Sequence, residues 1–273
     1  MIYLKTIFSA PNEIKYLKLN LAESFNHIDK FVICEFNRTH TGEDRELVFE
    51  KYWDEFTQQE KDKIIYIGAD ISKYANYAVD KQKQANINAR VIRGYFASQI
   101  DLDKDDIIFS VDADEIILEQ YYEEIIKELE KMKWPWQKKS LVLKLRQFYY
   151  RANYLWENNE FIAPIACRAS CYKNKYPNDW RYTGKLYNKF VGCHFSWILT
   201  IDEMIKKLNM YSHQSTYAKF AKRDILEDAV KNKKYPFDPD VDFKIRVLDI
   251  YKDKEYYPRS LYSMLDKFKD FII

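Results

Sequence analysis

The sequence predicts an α/β fold: a Rossmann-like, mostly parallel central sheet with helices on both faces, running into a mixed C-terminal half. Three observations predict it. Strand and helix patterns alternate through the first half, the arrangement that builds a parallel sheet covered on both sides. The middle of the chain then turns to strands without long helices between them. No stretch rich in Gly, Ser or Pro divides the chain and no repeat is visible, so residues 1–273 read as one domain.

Each element has a local reason. Ile2–Phe8 is an apolar strand. Pro11, Asn12 and Glu13 open a helix to about Phe25, with Ile14, Leu17, Leu21 and Phe25 at helical spacing. Lys30–Phe36 contains the run Phe-Val-Ile-Cys and reads as a buried strand, and Lys63–Ile67 as another short one. Asn76–Ile100 has the pattern of a long helix. Ile107–Val111 is a strand with almost no polar interruption, and Glu119–Met132 is a charged amphipathic helix. Ser140–Tyr150, Phe161–Cys167 and Lys189–Trp197 read as strands. Helices return at Asp202–Asn209 and Tyr217–Lys231, and Arg259–Phe271 closes the chain as a helix.

Composition narrows the function. Hydrophobic residues make up 47%, enough for a sizeable core. The 44 basic and 42 acidic residues leave a net charge of +2, which argues against a general nucleic-acid binder. Aromatic residues reach 17%; beyond filling core and surface, such rings can stack on sugar faces. Cys34 and Cys193 lie in apolar stretches, and Cys167 and Cys171 form too lone a pair for a structural zinc site, so reduced thiols are expected. The first residues read as a strand, not a leader, and no apolar run approaches the roughly 20 residues that span a bilayer. A cytoplasmic protein is expected.

The central chemical feature runs from Asp105 to Glu115: Asp-Asp-Ile-Ile-Phe-Ser-Val-Asp-Ala-Asp-Glu. An apolar strand leads straight into acidic residues. In extended backbone, side chains two apart point the same way, so Asp112 and Asp114 are expected to converge on one cation past the strand's carboxyl end. Open α/β sheets bind ligands at that edge, and hard carboxylate oxygens suit Mg²⁺ or Mn²⁺. Alone, the pair is shared between a metal site and a loop that caps the next helix. The buried strand before it favours the metal. Other Asp-x-Asp pairs, at Asp101/Asp103, Asp238/Asp240 and Asp240/Asp242, lie in polar or Pro-containing stretches and read as solvated loops.

Two further segments belong beside it. In Lys189–Trp197, Gly192 permits close backbone approach or a bend. His194 alternates with apolar residues there; it is either a packed core histidine or a third metal ligand. His213 competes for that role, or contacts a phosphate. The segment Glu35–Gly42, with Asn37, Thr39 and Gly42, follows a buried strand. It reads either as a polar turn or as a nucleotide pocket that needs positioned donors and acceptors.

Together these segments resemble glycosyltransferase family 17. Residues 31–42 look like the family's strand followed by E-x-N-x-T-x-x-G. Residues 105–116 look like its D-D-x-x-x-x-x-D-A-D-E-I segment, and residues 192–197 are similar to its G-W-H-x-S-W strand. Arg90 falls where the family has a helical Arg ahead of the metal motif, and Tyr257, Pro258 and Arg259 look like its Pro-containing start of a final helix. The likeness spans about residues 10–270, with the motifs in order. It implies a GT-A-like fold, a divalent cation, a nucleotide-sugar donor (UDP-linked) and inversion at the anomeric carbon, with N-acetylglucosamine as a sugar the family transfers. There are departures: Cys193 replaces a Trp, Gln84 stands where some members have Glu, and Gln214 and Ser215 follow His213 where an acidic residue is expected. With no anchor in view, a glycan acceptor outside the secretory pathway is expected.

The expected chemistry is a single displacement. Asp112, Asp114 and His194 hold the metal. Glu35, Asn37, Thr39, Gly42, Arg90, Asp112, Lys189 and His213 bind the donor, with Lys206 as a further basic group. A carboxylate takes the acceptor proton; the candidates are Glu115, Glu160, Asp224 and Glu227. Two other classes compete: a metal-dependent phosphohydrolase, for which no nucleophile motif is visible, and a non-catalytic glycan-binding module, which has no need of the Asp112/Asp114 pair.

Overall fold

A computed structural model describes residues 1–75, 81–132, 140–171, 183–210 and 214–272. Strand β1 (Ile2–Phe8) lies at the centre of a parallel group. It pairs with β2 (Lys30–Phe36) on one side and β4 (Ile107–Ser110) on the other, and β2 pairs with β3 (Ile64–Ala69). All four strands therefore end at one edge. Their alternation decides the packing. Leu4, Phe8, Phe31 and Ile33 face Leu17 and Leu21 of α1 (Ile14–Ser24) and Tyr122, Ile125 and Leu129 of α5 (Tyr122–Lys131). Tyr3, Ile7, Val32 and Cys34 face the opposite way, onto Ile92 of α4 (Lys81–Gly94) and Phe96. Helices thus cover both faces, as expected. The two short helices between β2 and α4 are α2 (Gln58–Lys63) and α3 (Ser72–Ala75).

The C-terminal half is mixed, also as expected. β8 (Phe161–Arg168) runs antiparallel to β4 and to β6 (Ser140–Tyr149), while β9 (Lys185–Trp197) runs parallel to β6. The three-residue β5 (Glu115–Ile117) pairs antiparallel with β9, and β7 (Tyr154–Trp156) joins β6 to β10 (Ile245–Val247). Helices α6 (Ile201–Met210), α7 (Gln214–Tyr217) and α8 (Arg223–Asn232) follow β9. The buried Glu23 carboxylate on α1 accepts from the backbone N–H groups of Glu119 (2.9 Å), Arg259 (3.2 Å) and Ser260 (2.9 Å), which ties the closing segment to the first helix.

Several expected elements differ. The long helix of 76–100 is α4 followed by a 3₁₀ turn over Tyr95–Ser98, and residues 76–80 lie outside the described residues. The helix expected from Tyr217 to Lys231 is broken: Lys222 is extended (φ −120°, ψ 136°), so α8 starts at Arg223. The closing helix is 3₁₀ over Arg259–Lys267 and Lys269–Phe271. β9 starts four residues earlier than expected, and β5, β7 and β10 are too short to leave a periodic signal. Among the described residues, no helix is long and apolar enough to cross a membrane.

Candidate active site

The acidic segment leaves the sheet where the parallel strands end. β4 stops at Ser110, and Val111 N–H still bonds Lys5 O across to β1 at 3.0 Å. The chain then turns: Glu115 N–H bonds Asp112 O at 3.0 Å, and the buried Glu115 carboxylate accepts Asp112 N–H at 2.7 Å. Asp112 and Asp114 therefore sit in a closed turn rather than in extended backbone. This corrects the pleat argument for their convergence.

The turn aims the two carboxylates at different partners. Arg93, near the end of α4, grips Asp112 with both arms: Nη1 to Oδ1 at 2.5 Å and Nη2 to Oδ2 at 2.7 Å. The Asp112 side chain keeps 30% of its surface exposed. Asp114 is more enclosed, at 12%, with His194 Nε2 3.8 Å from Oδ1 and Lys207 Nζ 3.8 Å from Oδ2. His194 pairs with Glu115 in the β9–β5 ladder, and its ring stacks on Phe161 at 3.7 Å. Phe195 N–H bonds Asp114 O at 2.9 Å, so β9 fixes the turn from below.

Lys207 is placed by a helix cap. Thr200 Oγ1 and Glu203 exchange hydrogen bonds across the first turn of α6, a capping box that fixes where the helix begins. One turn on, Lys207 donates to Ser196 O (2.7 Å) and Ser196 Oγ (2.6 Å). The Ser of the β9 motif thus anchors a cation beside Asp114.

The β2 loop closes the same edge. Arg45 donates to the carbonyls of Phe36 (3.0 Å), Ser9 (2.5 Å) and Phe8 (3.1 Å), joining the loop to the end of β1. Asn88 of α4 donates to His40 O at 2.8 Å. Between them Glu13, at the start of the first helical segment, accepts Ser9 N–H at 2.6 Å. Burial, then the charge of Asp114, raises the Glu13 carboxyl from 4.5 to about 7. Tyr16 donates to Ile198 O at 3.1 Å, and burial together with the charges of Asp114, Glu203 and Glu13 holds its phenol well above the ordinary value.

The sequence-selected residues divide. Glu35 is turned inward: its oxygens accept Val48 N–H (2.8 Å), Phe49 N–H (2.9 Å) and Tyr66 Oη–H (2.8 Å), which spends them on loop anchorage. Asn37 holds the β3–α3 connection through Asp70 (2.7 Å) and Ile71 N–H (2.9 Å). Thr39 and Gly42 form a tight turn, with Gly42 at φ 87°. On α4 Arg93 meets the acidic turn, and Arg90, one turn earlier, is exposed. Lys189 is exposed and bonds Glu124 at 2.6 Å on α5, and it is five residues along β9 from His194, about 16 Å of extended chain. Lys206 is exposed; its neighbour Lys207 reaches the site. Glu160 pairs with Lys144 at 2.9 Å. Asp224 and Glu227 are exposed on α8, which packs on α6, and Glu227 pairs with Arg223 at 3.2 Å. His213 lies outside the described residues. The sequence reading missed Arg93, Lys207, Glu13 and Arg45. The Thr200/Glu203 capping pattern is the signal that would have placed Lys207.

The donor set fits a divalent cation in one way only. Among the described residues, no group of three or more His, Cys, Asp or Glu side chains is gathered to hold a metal ion. Among those residues, Asp112, Asp114 and His194 do not form a closed three-ligand cage. Two carboxylates with Asp112 partly open suit a hard cation that takes its remaining ligands from phosphate oxygens and water, the usual manner of Mg²⁺.

The model of the family described as glycosyltransferase family 17 matches residues 2–234. No curated protein matches the chain. Among solved structures, the chain is similar to a 4-diphosphocytidyl-2C-methyl-D-erythritol synthase, with 10% identity, TM-score 0.37, and coverage of 70% of this chain and 88% of the other. It is also similar to a galactosyltransferase in complex with donor and acceptor sugar analogues, with 9% identity, TM-score 0.37, and coverage of 64% and 59%.

Proposed function

This chain belongs to glycosyltransferase family 17, and we propose that it is a metal-dependent, inverting enzyme that moves a sugar from a UDP-linked nucleotide-sugar to a glycan acceptor, with N-acetylglucosamine as the first sugar to test. The observation that carries this reading is the position of Asp112 and Asp114. They occupy a turn at the carboxyl edge of four parallel strands, where open α/β sheets take nucleotide ligands.

In this reading Asp112 and Asp114 hold Mn²⁺ or Mg²⁺, with His194 alongside. A divalent ion there neutralises charge on the departing diphosphate. Glu115 orients the turn through Asp112 N–H. Asn37, Thr39 and Gly42 shape the loop that borders the nucleoside. A base on the acceptor side completes the reaction, and Asp224 and Glu227, on the helix packed against α6, are the carboxylates proposed for it.

A nucleotide-sugar panel read by thermal shift tests the reading. With Mn²⁺ or Mg²⁺ present, a true donor at 100 times its Kd should stabilise the wild type by about 2.7 kcal/mol. Asp112→Asn and Asp114→Asn should lose that response. A wild type that answers to no nucleotide-sugar with metal, or an Asp114→Asn variant that answers equally well, would refute it.

A further inference from the structure

We propose that Arg93 guards the cation site: it occupies Asp112 until a nucleoside diphosphate arrives with the metal, and then transfers its two-armed grip to the diphosphate. The inference rests on the metal-dependent transferase reading above and adds a residue and an order of binding to it.

The geometry carries the argument. Arg93 Nη1 and Nη2 bond separate oxygens of Asp112, so each oxygen has one of its lone-pair sites taken and a positive charge beside it. A cation that takes Asp112 as a ligand must therefore compete with the guanidinium's charge for the carboxylate, by displacing a hydrogen bond or by approaching the lone pairs left beside it. The guanidinium is enclosed, with 12% of its side-chain surface exposed, against 30% for Asp112. Once displaced it stays beside whatever binds at the acidic turn. A planar fork that matches a carboxylate also matches a phosphate, with two parallel N–H···O bonds. A metal ion arriving alone weakens the hold of Arg93 on Asp112 and offers only positive charge in return. A metal ion arriving with a diphosphate brings a new oxyanion for the same fork. The displaced pairing is then recovered rather than lost.

Lys207 makes the arrangement two-sided. Its Nζ is held by Ser196 at 2.6 and 2.7 Å and stands 3.8 Å from Asp114 Oδ2. It is anchored to the strand rather than to the carboxylate, so it need not move when Asp114 takes a ligand. Asp112 is therefore the ligand held by a hydrogen-bonded cation, whereas Asp114, though more enclosed, faces Lys207 only at ion-pair distance.

The test is Mn²⁺ binding, measured by the electron paramagnetic resonance signal of free Mn²⁺, with and without UDP. In the wild type, UDP should tighten Mn²⁺ strongly. Arg93→Gln should bind Mn²⁺ alone about fivefold more tightly, the value of a partly exposed ion pair removed as competitor. The same variant should bind UDP with Mn²⁺ at least about tenfold more weakly, because the fork is missing. Opposite signs in one variant separate a guard from a residue that merely orders Asp112, which would weaken both. Arg93→Lys keeps the charge and loses the fork, so it should tighten Mn²⁺ alone by a smaller factor. It serves if circular dichroism shows the Gln variant unfolded. Unchanged or weaker binding of Mn²⁺ alone in the folded variants overturns the proposal. If the wild type binds Mn²⁺ and UDP together while the variants show no tightening, only the guard is lost. If the wild type shows no Mn²⁺-dependent UDP binding, the transferase metal site itself falls, and the guard with it.

Discussion

Gly192→Ala is the sharpest test of how the acidic turn is held in place. A Cβ built on Gly192 would lie 2.1 Å from Ile116 O, 3.0 Å from Ile116 C and 2.8 Å from Leu145 Cδ2. Leu145 can rotate away, but a backbone carbonyl in a ladder cannot. Carbon-to-oxygen contacts settle at about 3.3 Å, so β5 must retreat by roughly 1 Å. The retreat strains the pairs Ile117–Gly192, Ile116–Cys193 and Glu115–His194 together. Overpacking costs about 1–3 kcal/mol, and two weakened ladder bonds cost about 1 kcal/mol each. The sum is about 3–5 kcal/mol, a fall in Tm of roughly 10 °C or more for a chain of this size. The damage reaches function because β5 begins at Glu115 and the Asp114 carbonyl is bonded to Phe195 N–H. UDP binding with Mn²⁺ should weaken by more than about tenfold, as expected when a site is displaced by about 1 Å. Thermal melts by circular dichroism and calorimetric UDP titration read both effects. Gly68→Ala is the control: its nearest atoms are the Tyr66 hydroxyl at 2.8 Å, Tyr66 Cζ at 3.1 Å and Leu47 Cδ1 at 3.2 Å, all at the far ends of side chains. A Gly192→Ala protein that melts within about 2 °C of the wild type would refute the close-approach argument.

The other predictions follow from the same contacts. Glu35→Ala should cost about 3 kcal/mol in urea unfolding, since it strands the Val48 and Phe49 N–H groups and the Tyr66 hydroxyl. A loss under about 1 kcal/mol would return Glu35 to the ligand side of the loop. Glu13 has its native pKa raised from 4.5 to about 7. The native state therefore binds the proton more tightly than the unfolded chain, and the stabilisation, whole below 4.5, is lost as pH rises through about 7. Glu13→Gln should flatten that fall, by no more than about 3 kcal/mol between pH 4.5 and 8. Equal pH slopes for variant and wild type would show that Glu13 titrates normally. The Asp114→Asn response to nucleotide-sugars and the Mn²⁺ affinity of Arg93→Gln complete the set.

The sequence by itself determined what local chemistry can write. The apolar runs at Ile2–Phe8, Lys30–Phe36 and Ile107–Val111 specify buried strands because only a two-sided sheet removes consecutive side chains from water. The acidic residues after the third run mark the chemistry, and Gly192 marks a close approach that the structure contains. What only the tertiary structure decided is which groups meet. Arg93 finds Asp112 nineteen residues on, because α4 lies across the sheet beside the end of β4. Ser196 captures Lys207, which then stands beside Asp114, because β9 runs back along β5. No periodicity records such meetings, so Arg90 and Lys206 were as plausible in sequence as the neighbours that reach the site. Glu35 shows the reverse: a polar motif that looks like a ligand pocket turns inward, because two orphan backbone N–H groups at the start of a 3₁₀ segment need its oxygens. Residue identity is local, but the direction a side chain faces is set by the partners that folding brings to it.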